Sequence, residues 1–551
     1  MAKSHCRLKF PIRGHDGDWA TEMDKGAEHE AETASREQPR RAQIGNLAVV
    51  LILLAAAVAA TWAWRQAGHQ SLQADSQRAG AETQRDRAQQ RLAMAATTAN
   101  GLVLDLANKF RNAGGVPTAA IKGILDQAFQ LQDQLIGSGE SSPDLRQSQA
   151  DALIAATDTL LALGETQGAL AAATHALEID RDLLTQQPDN TDLQHDVALA
   201  YNKVGDVQLA QGHQSDALQS YQGGLAVAET LAKYDPGNAG WQRDLAAAYN
   251  KTGDVEAAQG HLPDALQSYQ ADLAVAESLA KSDPDNAGWQ RDLSVAYNKV
   301  GDVQLAQGQP PDALASYRAS LAIRERLAKS DPGNVGWQRD LSVSNEKVGD
   351  VEATQGHLSD AQQSYRMGFA IADHLAKSDP ANTGWQSDLT VWYVKLGNVQ
   401  MALGRLPDAL QSYQAALAIA DRLAKSDPGN TGWRHYLSVS YDKVGDVHLK
   451  MNDYDRALQD YGQAIKLDPD DSDTLVTRGC IYLKLKKLDL ALADYDAALK
   501  VKPAAASSLY LRSVVKQLKG DKTGAAADAD AAKQIEPDIA QKFQESGKCP
   551  P

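Results

Sequence analysis

The stretch PDNAGWQRDLSVAYNKVGDVQLAQGQPPDALASYRASLAIRERLAKSDP, running from Pro284 to Pro332, decides how this chain is read. Its tryptophan recurs at a constant step of 48 residues, as Trp241, Trp289, Trp337, Trp385 and Trp433. Gly205, Gly253, Gly301, Gly349, Gly397 and Gly445 keep the same step, as do Pro236, Pro284, Pro332, Pro380 and Pro428. A fixed period of this size marks a solenoid of stacked units. The step extends backwards more faintly, since Pro188 falls 48 residues before Pro236. From Pro469 it shortens to 34, as Pro503 and Pro537 show.

Each unit reads as two helices. The first runs roughly from Trp289 to Gln307 and the second from Asp312 to Lys329. Gly301 and Ala313 are small enough for the paired helices to approach closely, while Tyr297 and Tyr317 fill the space beside them. Gly308 suits a left-handed turn after the first helix, and Asn452, its counterpart in the seventh unit, is the next best residue there. Pro332 closes the second helix. Aromatic residues make up only 6% of the chain, so Ala, Leu and Val must build the core, which favours packed helices over sheets.

The shorter units carry a family resemblance. Leu475, Gly479, Tyr482, Ala491, Tyr495, Ala498 and Pro503 stand at the spacings of the tetratricopeptide (TPR) pattern, which this region resembles. Tyr297, Gly301, Gly308, Ala313, Tyr317 and Pro332 fit the same scheme in the longer units. Ala491 to Pro503 is 12 residues, whereas Ala313 to Pro332 is 19. Pro469 to Gly479 is 10, whereas Pro284 to Gly301 is 17. Each helix of the long unit has therefore gained seven residues, two turns or about 10 Å. The resemblance spans about 142–537 and implies an all-α superhelix of helix-turn-helix repeats, a TPR solenoid; the sequence ahead of it adds one expected N-terminal transmembrane helix. Ser513 and Ala529 depart from the pattern, as terminal repeats often do, and Asp538 to Gly547 reads as a short polar cap.

The organisation that follows is a polar, disordered tail over 1–42, a transmembrane helix over 43–65 and a helical stalk over 66–141. Long repeats occupy 142–468, standard repeats 469–537 and a C-terminal cap 538–551. The membrane segment rests on Ile44 to Trp64, IGNLAVVLILLAAAVAATWAW, which has no charged residue. Twenty-one residues at 1.5 Å each span about 31 Å, enough for a hydrocarbon core of ~30 Å. Trp62 and Trp64 suit the headgroup boundary, and the run is too long and too far from the start for a cleaved signal. Arg36, Arg40 and Arg41 before it, against Arg65 and Arg78 after it, favour a cytoplasmic N-terminus and periplasmic repeats, in a bacterial inner membrane. Residues 66–99, rich in Gln, Ala and Arg, read as a polar helix able to self-associate.

Charge narrows the function. The chain carries a net −16, and residues 141–551 hold 39 of its 55 basic and 56 of its 71 acidic side chains. That acidity argues against nucleic acid, whose phosphates need a basic surface. Three cysteines, Cys6, Cys480 and Cys549, make no disulfide framework or CxxC metal site, and leave the compartment open. No HExxH, GxSxG, P-loop or EF-hand pattern occurs, so no enzyme, cofactor or metal is expected. The recurring tryptophans read as packing between units.

The resemblance places on an inner groove, lined by the first helices, the residue three before the central glycine and the one just after it. These are Asn202 and Asp206, Asn250 and Asp254, Asn298 and Asp302, Glu346 and Asp350, Val394 and Asn398, Asp442 and Asp446. Such a ladder is polar and mostly acidic. It suits a protein or peptide partner with basic or neutral segments, and lacks the Lys and Asn clamp that TPR domains use for acidic C-terminal peptides. The alternative is a solvated face, with Asp302 pairing to Lys299 one turn back. Two functional readings follow: a membrane-anchored protein-interaction scaffold, or a sensor or regulatory subunit of a bacterial signalling or defence system whose effector is a separate protein.

Overall fold

The computed structural model describes residues 142–546 without interruption and scattered positions between 62 and 130. The chain divides into two compact units, residues 1–94 and 95–551. In the first unit the described positions, Trp62, Arg65 and Gln66 among them, are helical and exposed. The expected tail over 1–42, the apolar run Ile44–Trp64 save Trp62, and most of the expected stalk over 66–141 lie outside the described residues. Among the described residues no helix is long and apolar enough to cross a membrane.

In the second unit every regular element between 142 and 546 is an α-helix. Seven repeats begin with a 20-residue helix: α1 (Pro143–Ala162), α3 (Thr191–Ala210), α5 (Ala239–Ala258), α7 (Ala287–Ala306), α9 (Val335–Thr354), α11 (Thr383–Ala402) and α13 (Thr431–Lys450). The first six close with a 21-residue helix: α2 (Thr166–Gln186), α4 (Gln214–Tyr234), α6 (Leu262–Ser282), α8 (Pro310–Ser330), α10 (Leu358–Ser378) and α12 (Leu406–Ser426). The seventh repeat changes over, pairing a long first helix with the 14-residue α14 (Tyr454–Leu467). Two short repeats follow, α15 (Ser472–Lys484) with α16 (Leu488–Val501) and α17 (Ala506–Lys519) with α18 (Lys522–Ile535), and then α19 (Ile539–Ser546). The two helices of each repeat pack on one another, and the second helix packs on the next repeat's first helix.

Local chemistry sets the boundaries. Asn238, Asn286, Asn334, Asn382 and Asn430 cap the first helices, each side-chain oxygen accepting the backbone N–H of the following tryptophan at 3.1–3.2 Å. The tryptophan is thus fixed at the third helical position, half-buried against the preceding repeat. Trp337, for example, packs against the buried cluster that holds Leu293, Ile323 and Leu327. One residue later Gln242, Gln290, Gln338 and Gln386 donate to the carbonyls of Ala232, Ala280, Ala328 and Ala376 at 3.0–3.1 Å. These bonds answer the orphan carbonyls at the end of each second helix. The first helices end on a left-handed residue: Gly308 at φ 74°, and Asn452 at φ 61° in the seventh repeat. Lys486 takes the same conformation at φ 57°, a position where nothing in the side chain announces it.

The helix pair closes on glycine and tyrosine. A Cβ placed on Gly301 would stand 2.7 Å from Cε1 of Tyr317, a ring that is only 2% exposed. The same approach recurs at Gly205, Gly253, Gly349, Gly397, Gly445 and Gly479. Gly301→Ala must therefore push apart α7 and α8, because a buried ring has nowhere to turn. The expected cost is about 1–3 kcal/mol, read as faster amide exchange confined to α7, α8 and their neighbours, since a stack unfolds by local units. Unchanged exchange there would show that the contact does not set the helix spacing.

Candidate functional site

The tyrosine that fits against the glycine ends in a hydroxyl, and the ladder aspartate receives it. Tyr221, Tyr269, Tyr317, Tyr365 and Tyr461 donate to Oδ1 of Asp206, Asp254, Asp302, Asp350 and Asp446 at 2.5–2.8 Å. In repeat six Tyr413 donates to Oδ1 of Asn398 at 2.7 Å. Burial and the accepting carboxylate push the hydroxyl pKa of Tyr317 far up, so it stays a donor.

The same aspartates hold the next repeat. Lys299 reaches back to Asp254 and Lys347 to Asp302, both at 2.5 Å, and Lys251 pairs in the same way with Asp206. Lys395 bonds Asp350 at 2.8 Å and Glu346 at 3.1 Å. Each ammonium also lies over the tyrosine ring of the repeat it reaches, 5.3–5.7 Å from the centroid. The expected pairing of Asp302 with Lys299 on its own helix is therefore wrong. Lys299 sits one turn back in sequence, but its chain is long enough to cross to the preceding repeat, where a tyrosine face adds to the carboxylate.

A second ladder runs in the opposite sense, nearer the start of the first helices. Gln147 bonds Asp196 at 2.7 Å, Arg243 Asp292 at 2.8 Å, Arg291 Asp340 at 2.6 Å and Arg339 Asp388 at 3.3 Å. His195 stands 3.2 Å from Asp244, and that bond raises the imidazole pKa. Both ladders stop between repeats six and seven. Asn398 replaces the aspartate of one, and Ser387 and Tyr436 replace the arginine and aspartate of the other. Lys443 accordingly turns to Asp442 and Asp446 on its own helix, at 3.3 and 3.2 Å.

The candidate residues thus divide by depth. Asp206, Asp254, Asp302, Asp350 and Asp446 are half-exposed and every one of them is held by a hydroxyl and an ammonium, so the face is not the free acidic ladder that residue types alone suggested. The asparagines point elsewhere. Asn298 is buried with its Oδ1 unpartnered, the Oδ1 of Asn202 is likewise buried without a partner, and Asn250 donates to Asp272 at 3.1 Å within its own repeat. Asp442 accepts from Thr474 of the eighth repeat at 2.9 Å. The lysines and the arginine–aspartate row were missed, although the recurring Asn-Lys-Val-Gly-Asp of the sequence carries the first pairing in plain view. Among the described residues no cluster of His, Cys, Asp and Glu could hold a metal ion.

One buried position between repeats varies: Asp180, Ala228, Ala276, Arg324, Ala372 and Ala420, each 48 residues on. Arg324 fills its junction, donating from Nε to Ser294 Oγ at 3.1 Å and from Nη1 to the Asp340 carbonyl at 2.7 Å. Asp180 is 2% exposed with Oδ1 unpartnered. Burial, and then the carboxylates of Asp196 and Asp151, push its pKa up to about 7.

Two predictions follow from these pairings. The Lys299–Asp254 strut is half-exposed, so a double-mutant cycle with Lys299→Met and Asp254→Asn should give a coupling of only about 0.5–1 kcal/mol, shrinking in high salt. A coupling that ignores salt would mean that ring packing, not charge, holds the lysine. For Asp180 the folded pKa lies above the ordinary carboxylate value, so the proton is bound more tightly in the fold. Its favourable contribution is complete below about pH 4 and lost as pH rises to about 7. Asp180→Ala, which installs the residue of four other repeats, should raise Tm over the parent more at pH 8 than at pH 4.5. An equal gain at both would place the ionisation elsewhere.

Sequence comparison assigns the C-terminal part. Residues 388–470 and 476–538 each match a family model described as Tetratricopeptide repeat. No curated protein matches the chain in sequence. Among solved structures the apo form of RapI is 12% identical, with 73% of this chain and 99% of that one covered, at a TM-score of 0.46. PilF of Pseudomonas aeruginosa is 20% identical over 48% of this chain and 100% of its own, at 0.32. YrrB, described as a TPR protein with an unusual peptide-binding site, is 17% identical over 40% and 97%, at 0.27.

Proposed function

We propose, from the tetratricopeptide repeats that this chain carries, that it is a membrane-anchored scaffold which binds polypeptide segments of other proteins and performs no chemistry itself. The 48-residue repeats are, on this reading, the same unit with two turns added to the helices. The observation that carries the proposal is the face of the first helices. Between the two charge ladders stands one apolar or small residue per repeat: Leu199, Ala247, Val295, Val343, Val391 and Val439. Leu199 and Val343 are exposed. A row of apolar side chains bordered by charges already satisfied within the chain suits a polypeptide held along the stack, and gives no convergent group of acid, base and nucleophile.

Anchoring rests on the uncharged run Ile44–Trp64. Compartment rests on the arginines before that run.

A reporter fused to the C-terminus should be active only when the periplasmic form of the reporter is used; cytoplasmic activity would reverse the orientation. A photo-crosslinking residue at Val343 should trap polypeptide in cells, while one at Met367, exposed on a second helix, should not. Equal trapping at both would remove the first-helix face as the binding surface.

A further inference from the structure

The junction between repeats five and six differs from the one before it in a way that points to a ligand. Arg324 fills the junction of repeats four and five, and the equivalent residue one step on is Ala372. A cavity of about 100 Å³ opens there, lined by Ala372 together with Ser342, Glu346, Trp385, Asp388 and Trp392. Ser342 and Asp388 are the counterparts of Ser294 and Asp340, the two residues whose oxygens hold the Arg324 guanidinium. The cavity therefore keeps the acceptors of an arginine site and lacks the arginine.

Its other walls favour the same chemistry. Trp392 stands where the neighbouring first helices carry Ala248, Ala296, Ser344 and Ser440, and it is 4% exposed. Gly368 makes room for it, since a Cβ there would come within 2.1 Å of the indole. Trp385 supplies a second aromatic face. Guanidinium groups stack on such faces and pair with carboxylates in one geometry. Repeat five also brings an extra acid: Glu346 takes the position held by Asn202, Asn250 and Asn298. In the lining Asp388 pairs with Arg339, while Glu346 shares Lys395 with Asp350, which also accepts from Tyr365. Three carboxylates against two cations leave room for one more positive charge.

We propose that this cavity binds the guanidinium of an arginine borne by a partner polypeptide, entering from the first-helix face and occupying the place that Arg324 fills one repeat earlier. The proposal rests on the scaffold reading and gives it a specific anchor. The arginine donates to Ser342 Oγ and to the Asp388 carbonyl, stacks on the indoles and completes the charge balance with Glu346. An acidic or uncharged side chain gains none of these.

The test uses the full chain in detergent with 5-fluorotryptophan, the Trp392 resonance being assigned through Trp392→Phe. The probes are the peptide acetyl-Gly-Ser-Arg-Ser-Gly-amide, its citrulline and lysine counterparts, and free L-arginine. The arginine peptide should move the Trp392 resonance with a Kd at least tenfold below that of the citrulline peptide, which has the same shape without the charge. Glu346→Gln should weaken it about tenfold, the loss of one charged hydrogen bond. Ala372→Arg, which plugs the cavity as Arg324 does its own, should abolish the shift. Citrulline binding as well as arginine, an unmoved Trp392, or undiminished binding in the plugged chain would overturn the proposal. Free L-arginine binding as tightly as the peptide would replace the polypeptide by a small guanidinium compound and overturn it in that respect. If Ala372→Arg fails to fold, Glu346→Gln decides. Crosslinking from Val343 that persists when arginine has no effect would sink the cavity and leave the scaffold standing.

Discussion

A tyrosine pressed against a glycine backbone cannot leave its hydroxyl without an acceptor. That requirement organises the long repeats. The hydroxyl of Tyr317 needs Asp302, and a carboxylate placed there is half-buried and needs a cation. Lys347 supplies it from the next repeat and covers the tyrosine ring as it does so. Packing inside a repeat and adhesion between repeats are thus one arrangement of three side chains. Where Asn398 stands in for the aspartate, the hydroxyl is still satisfied but the charge is gone, and Lys443 no longer crosses.

Much of this architecture was legible. The period, the seven-residue lengthening, the turn at Gly308 and Asn452, and the helix spans to within two or three residues all follow from spacing, because glycine, proline and tyrosine occupy positions that geometry restricts. The site was legible only by half. Counting three back from the central glycine names Asn298 and one forward names Asp302, yet the two point to different depths, and depth depends on which second helix lies underneath. Pairing partners were hidden for a related reason. Lys299 and Asp302 are three apart on one helix, which invites a local pair, whereas the actual bonds join residues 45 apart across a junction. The lesson is that a repeat's surface charge is set by its neighbour as much as by its own sequence.

The departures from the repeat carry more information than the repeats. Asp180, Arg324 and Ala372 occupy one position with a buried acid, a buried base and a small apolar group. Trp392 takes the space that Gly368 leaves, and His448 and Asp460 change together, bonding at 2.7 Å where other repeats use a Gln or Glu with a Ser. Trp392 with Gly368 and His448 with Asp460 are each matched between two adjacent helices, so the stack tolerates individuality one junction at a time.

That individuality bears on how the chain finds its own order. Repeats three, four and five present nearly identical struts, so Lys347 meets Asp254 in a slipped arrangement as readily as it meets Asp302 in the native one, and charge alone does not reject the slip. Arg324 and Trp392 do reject it: a guanidinium needs Ser294 and the Asp340 carbonyl, and an indole needs the space over Gly368. These two bulky residues act as keys that index the array, and removing both would leave a protein with sound local structure and no sure register during folding.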